Sequence, residues 1–321
     1  MEVLREAHNT YVGERFIPSM TTPTEIRACL VDAFTDEPLS GNVAGVVPDA
    51  TELSDEECRA VARELNASET AFVTESDGAD RRIRYFTPTT EVDLCGHATI
   101  AAHALLAADG TIDPGDHTLE TNVGVLDVVV EEDGVVWMTQ GEPTVEEVDL
   151  DPETVASALG IDPGSIETLL SDLPLARAST GLPFLVVPVD FLEELGAADP
   201  ELDEVERLCD SVDAVGLYAF TLDTLEAEST LHGRAFVPSL GIPEDPVTGT
   251  ASGAVGGYLA HVGAFSEMPE ELRFEQGHFV DRPGNVRVRV DGKVRVGGRA
   301  VLALNGTLSV PEPEGDSIIE A

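Results

Sequence analysis

Three observations predict an α+β fold built from two copies of one unit. Short β-branched runs such as "AGVV", "AFVT", "RIRYF", "VLDVVV", "FLVVPV", "LYAFTL" and "VRVRV" outnumber segments with helical spacing, which disfavours a doubly wound sheet. The length, 321 residues with 42% hydrophobic, suits two cores better than one. Finally, "RYFTP" at 84–88 returns as "RAFVP" at 234–238, an offset of 234 − 84 = 150 residues.

Residues 1–23 are polar and aperiodic and read as a mobile extension, in which Met20 is a second plausible start. A first lobe, 24–143, opens on the strand "EIRACLVDAF". The stretch "SDEECRAVARELN" predicts a helix over 54–66. Ser54 with Glu57 three residues on makes a capping box, and Cys58, Val61 and Leu65 share helical spacing. After "RIRYF" an acidic loop leads into a helix over 97–108 and the strand run "HTLETNVGVLDVVV". A second lobe, 144–309, adds helices over 152–159 and 201–210, then repeats the pattern: "RAFVP", an acidic loop, a helix over 250–262, and "LRFEQGHFVDRPGNVRVRV". Glu120 and Glu275 hold matching places in the two copies. Residues 310–321 form an acidic tail.

The 61 acidic against 18 basic residues give a formal net charge of −43, and Lys293 is the only lysine. A field of that sign repels phosphate backbones and anionic membranes, so nucleic-acid and membrane binding are not expected. Carboxylates spread along the whole chain read as a surface kept solvated in concentrated salt. No run of about 18 apolar residues occurs and "MEVLREAHNT" lacks a signal-peptide layout, so a cytoplasmic protein is expected. Cys29, Cys58, Cys95 and Cys209 show neither CxxC nor zinc-knuckle spacing.

The stretch "DLCGHATIAAHALL" gathers a cysteine and two histidines. His97 and His103 stand six residues apart, about 240° round a helix, so they do not share a metal from one face. What both copies share is the glycine at the strand-to-helix turn: Gly96-His97-Ala98 matches Gly249-Thr250-Ala251. A helix start exposes unpaired N–H groups and the positive end of the dipole, which favour an anion. Either glycine alone is equally explained by close helix packing. Their recurrence behind acidic loops points to two helix starts facing a small acid across a cleft. "VTGTASGAVGG" lacks the P-loop lysine, and no GxGxxG stands before a downstream acid, so no nucleotide is implied.

Taken in order, "VDAFTDEPLSGNVAGVV", "ARELNASETAFV", "RYFTPTTEVDLCGHATIAAHALL", "EDPVTGTASG" and "QGHFVDRPGNV" resemble the PhzF-type phenazine-biosynthesis family across about residues 26–305. The resemblance implies a diaminopimelate epimerase-like fold: two pseudo-symmetric lobes, each a curled mixed sheet round a central helix, with the site between them. It also implies a homodimer without metal or organic cofactor. The family's acid/base glutamate falls on Glu69, its Gly-His pair on Gly96 and His97, and its second-loop Asp, Gly and hydroxyl on Asp245, Gly249 and Thr250. Asn42, after Gly41, matches a position at the cleft edge. Val43 stands where the family often has proline. Two-thiol racemisation is not expected, because "EDPVTGTAS" offers no partner for Cys95.

On physical grounds each residue has a plainer alternative. Glu69 is one acid among many, but a carboxyl at the start of the apolar run "TAFV" would be partly desolvated and titrate higher. Asp245, bracketed by Pro243 and Pro246, is either a helix cap or a second site carboxyl whose repulsion with Glu69 separates the two titrations. His97 either binds substrate or bonds within its own turn. Cys95 is expected to be a buried small hydrophobe. Arg84 and Arg234 open the repeated strands and are placed to pair with the acidic loops.

The expected function is a cofactor-independent isomerase that moves a proton within a small carboxylate substrate, with Glu69 as acid/base. The rivals are an epimerase using Glu69 and Cys95, and a silent acid-binding protein. The charge reading carries its own test. Lowering salt from about 3 M to about 0.1 M should lower the melting temperature, since counterions then screen the carboxylates less. Equal stability at both salts contradicts it.

Overall fold

The computed structural model describes residues 24–310. The expected extension at 1–23 lies outside them, as does all of the expected tail except Val310, which ends a strand. All five expected helices form, at Asp55–Leu65, Gly96–Ala108, Pro152–Leu159, Leu202–Ser211 and Gly249–Val262. Two short ones, Gly164–Glu167 and Leu192–Ala197, were not foreseen; a helix of four or six residues shows no period. No helix among the described residues is long and apolar enough to cross a membrane.

The capping box forms as read: the Glu57 amide donates to Ser54 Oγ and the Ser54 amide to Glu57 Oε2 at 2.8 Å. That helix ends on Asn66, whose φ of 51° is the left-handed conformation asparagine tolerates. The chain then turns directly into Glu69 and the strand Thr70–Thr74.

The sheet shows the duplication strand by strand. In the first half the order is Ala300–Val310, Thr24–Ala33, Asn42–Val47, Thr70–Thr74, Arg81–Phe86, Gly115–Thr121, Gly124–Val130, Val136–Thr139. In the second it is Thr144–Glu147, Ala176–Ser179, Pro183–Pro188, Gly216–Thr221, Leu231–Val237, Leu272–Gln276, Gly284–Val290, Val294–Gly298. Parallel and antiparallel pairings follow the same sequence in both. The matched glutamates sit in equivalent register, Arg82 opposite Glu120 and His232 opposite Glu275.

Both predicted arginine pairs also form. Arg84 grips Glu91 through Nε and Nη2, and Arg234 grips Glu244 through the same two nitrogens. Such two-pronged contacts fix the acidic loop against its strand in each half.

The halves are joined by an antiparallel pairing between Val136–Thr139 and Val294–Gly298. Strand Ala300–Val310, expected within the second lobe, crosses back to pair along the whole of Thr24–Ala33. Each half also carries a helix enclosed by its sheet, Gly96–Ala108 and Gly249–Val262, buried over most of its circumference. Small residues all round, rather than one apolar stripe, are what such a position requires. With its strand-bearing neighbours this is a diaminopimelate epimerase-like α+β fold.

A second tie crosses between the halves at the Gly41 turn. Arg282 donates to Asp32 Oδ1 and the Ser40 carbonyl, both at 2.7 Å, and to the Gly41 carbonyl at 2.8 Å. Asp32 is buried, and its Oδ2 also accepts from the Leu39 amide at 2.6 Å. Gly41 has φ +58°, and a Cβ there would stand 2.2 Å from the Ala33 carbonyl, so only glycine makes this turn. With the turn held, Val43 continues the strand without the family's proline.

The junction permits no added bulk. A Cβ on Gly297 would lie 2.5 Å from two ring carbons of the buried Trp137, its partner in register. Gly297→Ala should cost about 1–3 kcal/mol by overpacking, read as a lower denaturation midpoint at high salt. An unchanged midpoint would mean the junction is loosely packed.

Candidate active site

Glu69 is delivered by the turn after Asn66, and its carbonyl is held by the Gly45 amide at 2.9 Å. Its side chain is 21% exposed and its Oε2 lies 3.6 Å from His97 Nε2, while His97 is 11% exposed. Glu69 therefore caps no helix and is not a freely solvated acid. Ser68 Oγ approaches the same His97 nitrogen at 3.4 Å. On the other side of the ring, Nδ1 lies 3.3 Å from Cys95 Sγ.

The second half contributes Asp245. Its Oδ1 accepts from Asn42 Nδ2 at 3.0 Å and its Oδ2 from Thr248 Oγ1. Asn42 Nδ2 also donates to the Val247 carbonyl at 2.8 Å, so this side chain spans the two halves. Burial pushes the Asp245 carboxyl above the usual carboxylate range, and Glu69 adds to the rise. Thr248, His97 and Asn42 oppose it.

The two helix starts also meet. A Cβ built on Gly96 would lie 4.0 Å from Thr250 Oγ1, with nothing else that close. Gly249 differs: a Cβ there would press on Phe34 at 2.9 Å. The packing explanation thus accounts for Gly249 but not for Gly96, where the space opens towards the facing helix. Behind Thr250, the Thr180 hydroxyl donates to Gln140 Oε1 at 2.6 Å and lies 3.4 Å from the Thr250 carbonyl.

Glu69 and His97 from the first half thus lie close enough to Asp245 of the second to act on its charge. Gly96 opens towards Thr250 and Asn42 bridges the halves, whereas Gly249 packs on Phe34. The titratable atoms of Glu69, Cys95 and His97 lie within 4.8 Å of one another. Burial drives the Cys95 thiol well above its ordinary value, with the nearby Glu69 charge adding to the effect. His103, buried and bonded to the Thr99 carbonyl at 2.9 Å, is pushed down to about 3 by burial and stays neutral.

Three residues of this site escaped the sequence reading. Ser68 lies inside the quoted "ASETAFV", Thr248 precedes the second glycine, and Gln276 opens "QGHF". Gln276 is fully buried and fastens the Asp245 turn. Its Nε2 donates to the Asp245 carbonyl at 2.8 Å and its Oε1 accepts from the Thr248 amide at 3.0 Å. The burial and paired ends of Gln276 are visible only in the fold, so nothing in the sequence marked it. A cavity of about 410 Å³ between Asp36, Glu37, Arg273, Arg287 and Arg299 shares no residue with this group.

The two-lobed fold brings its two central helix starts together between the halves, and comparison with known proteins identifies its family. The sequence profile described as "Phenazine biosynthesis-like protein" matches residues 31–306. An uncharacterized isomerase from Clostridium acetobutylicum is 36% identical over 87% of this chain and 96% of its own length. Among solved structures, a PhzF-family phenazine biosynthesis protein from Bacillus anthracis superposes with TM-score 0.82 at 31% identity. It covers 89% of this chain and all of that one. A protein described as a predicted epimerase from Pseudomonas aeruginosa gives TM-score 0.71 at 32% identity, over 88% of this chain and 99% of that one. The chain belongs to the phenazine biosynthesis-like family.

Proposed function

We propose that this protein is an isomerase that relocates a proton within a small unsaturated carboxylate, without a cofactor, using Glu69 as the shuttling base. The observation that carries this reading is the convergence of Glu69, His97 and Asp245 on one gap between opposed helix starts. The substrate carboxylate lies against the amides of the two helix starts and the Thr250 hydroxyl. No lysine or arginine is needed there, because oriented N–H groups and dipoles hold the anion.

Glu69 removes a proton from carbon next to the conjugated system. The electron pair moves through the π bonds onto the carboxylate oxygens, where the amides and His97 stabilise it. The proton on Glu69 then returns to the distal carbon, so that no atom is gained or lost. Asp245, raised by burial above the ordinary carboxylate range and held by Asn42 and Thr248, lies beside the charge that develops.

The epimerase alternative draws on the nearness of Cys95 to Glu69 and on the relative described as a predicted epimerase. Inversion needs acid and base on opposite faces of one carbon. Glu69 and Cys95 come from the same half and sit side by side, which favours the proton shift.

Glu69→Gln should lower turnover by about 10²–10⁴-fold. It should leave intact the rise in melting temperature that a bound acid produces, since a ligand bound only by the folded state stabilises it. Turnover at the wild-type rate in this variant would remove Glu69 from the mechanism.

A further inference from the structure

The residue immediately before each helix glycine is Cys95 in the first half and Thr248 in the second, separated by 248 − 95 = 153 residues, the same spacing as Gly96 and Gly249. Each is the N-cap of its central helix, a place where a hydroxyl or thiol ordinarily turns back to accept from the helix amides. Neither makes a well-formed cap bond, although the Ala98 and His97 amides lie close enough to the Cys95 sulfur to favour its charged form. Instead each side chain turns onto a titratable group of the site: Cys95 Sγ lies 3.3 Å from His97 Nδ1, and Thr248 Oγ1 donates to Asp245 Oδ2.

We infer that Cys95 and Thr248 are a matched pair of positioning residues. Each donates its hydrogen to set the protonation pattern of the acid/base group beside it, Cys95 fixing His97 as the tautomer with its proton on Nε2. The inference deepens the isomerase reading and rests on the same site.

The assignment of the His97 proton follows from what faces each ring nitrogen. Nε2 looks at the Glu69 carboxylate oxygen at 3.6 Å and at Ser68 Oγ at 3.4 Å. A lone pair on Nε2 would point at a carboxylate, whereas an N–H is attracted to it. With the proton on Nε2, the neutral ring has only an acceptor at Nδ1, and the group that meets it is Cys95. A thiolate there would lose its hydration and sit beside Glu69 and Asp245, and these costs outweigh the help of the Ala98 and His97 amides. The thiol therefore keeps its hydrogen and donates it to Nδ1. His97 in turn presents an N–H to the gap, where it can stabilise negative charge on a substrate oxygen.

Thr248 does the corresponding service for Asp245. Its hydroxyl is held by Gln276, whose Nε2 lies 3.1 Å from Thr248 Oγ1 and supplies a donor to it. The hydroxyl hydrogen is thereby left for Asp245 Oδ2. Thr248 thus opposes the rise that burial and Glu69 impose on Asp245. The two halves use different chemistry, thiol to imidazole and hydroxyl to carboxyl, at one shared position.

The test needs no substrate. In ¹⁵N-histidine NMR of the full chain near neutral pH, His97 should show a protonated Nε2 and a bare, hydrogen-bonded Nδ1. Cys95→Ala should move the Nδ1 resonance away from that position, and Cys95→Ser, which restores a donor, should bring it back. In the other half, Thr248→Val should shift the titration midpoint of Asp245 upward, followed by its carboxyl ¹³C signal, and Thr248→Ser should reverse the shift. A proton on His97 Nδ1 in the wild type overturns the inference, as does an Nδ1 resonance unmoved by Cys95→Ala. An Asp245 midpoint that stays put in Thr248→Val removes the second arm. Because none of these signals depends on turnover, they separate this inference from the isomerase reading: loss of activity in Glu69→Gln would stand whichever way they fall.

Discussion

The bond between Asn42 and Asp245 is where the two halves of the molecule become one site. Asn42 leaves a turn that only glycine at position 41 can make, and reaches across to both the Asp245 carboxyl and the Val247 carbonyl. Arg282 runs the other way, from the second half into the first, and clamps the same turn through Asp32, Ser40 and Gly41. A separation of the halves by even an ångström would break both ties and leave buried polar groups unpaired. Gly96 and Thr250 keep their distance because this seam does not slide.

Much of this arrangement was legible in the sequence because duplication writes itself twice. Arg84 and Arg234, Glu120 and Glu275, Gly96 and Gly249 each recur at nearly constant spacing, and the structure puts every pair in equivalent register. The capping box at Ser54 and Glu57 is a local signal and appeared as read. The return of Ala300–Val310 to the first half was not legible, because its partner lies some 280 residues earlier and β-pairing leaves no local period. Thr248 and Gln276 were hidden for another reason: a threonine before a helix looks like an ordinary cap until its hydroxyl is seen turned away. Cys95 was expected to be an inert small hydrophobe, and it is buried. What its burial supports is a proton donor to His97.

The acidic surface and the site obey one electrostatic logic. With 18 basic residues against 61 acidic ones, arginines are scarce and most are committed to structure: Arg234 to Glu244, Arg282 to Asp32, Arg289 to Glu131 and Glu271. None is among the groups that meet at the gap between the helix starts. In the proposed reading an anion there is held by backbone amides, which carry no counter-charge to be screened or captured by a neighbouring carboxylate. That would let a protein whose net charge repels acids still bind one.

The central claim is that the gap between the two helix starts is a place where a carbon-bound hydrogen is exchanged, and isotope exchange reads that event directly. Small unsaturated acids and amino acids that raise the melting temperature would be incubated with the protein in D₂O at high salt, and their C–H signals followed by ¹H NMR. The account predicts that at least one such acid loses a C–H signal and gains deuterium on carbon at a rate set by the amount of protein. Acids that bind and stabilise the fold yet never take deuterium onto carbon would contradict it, leaving a protein that holds its ligand and does no chemistry on it.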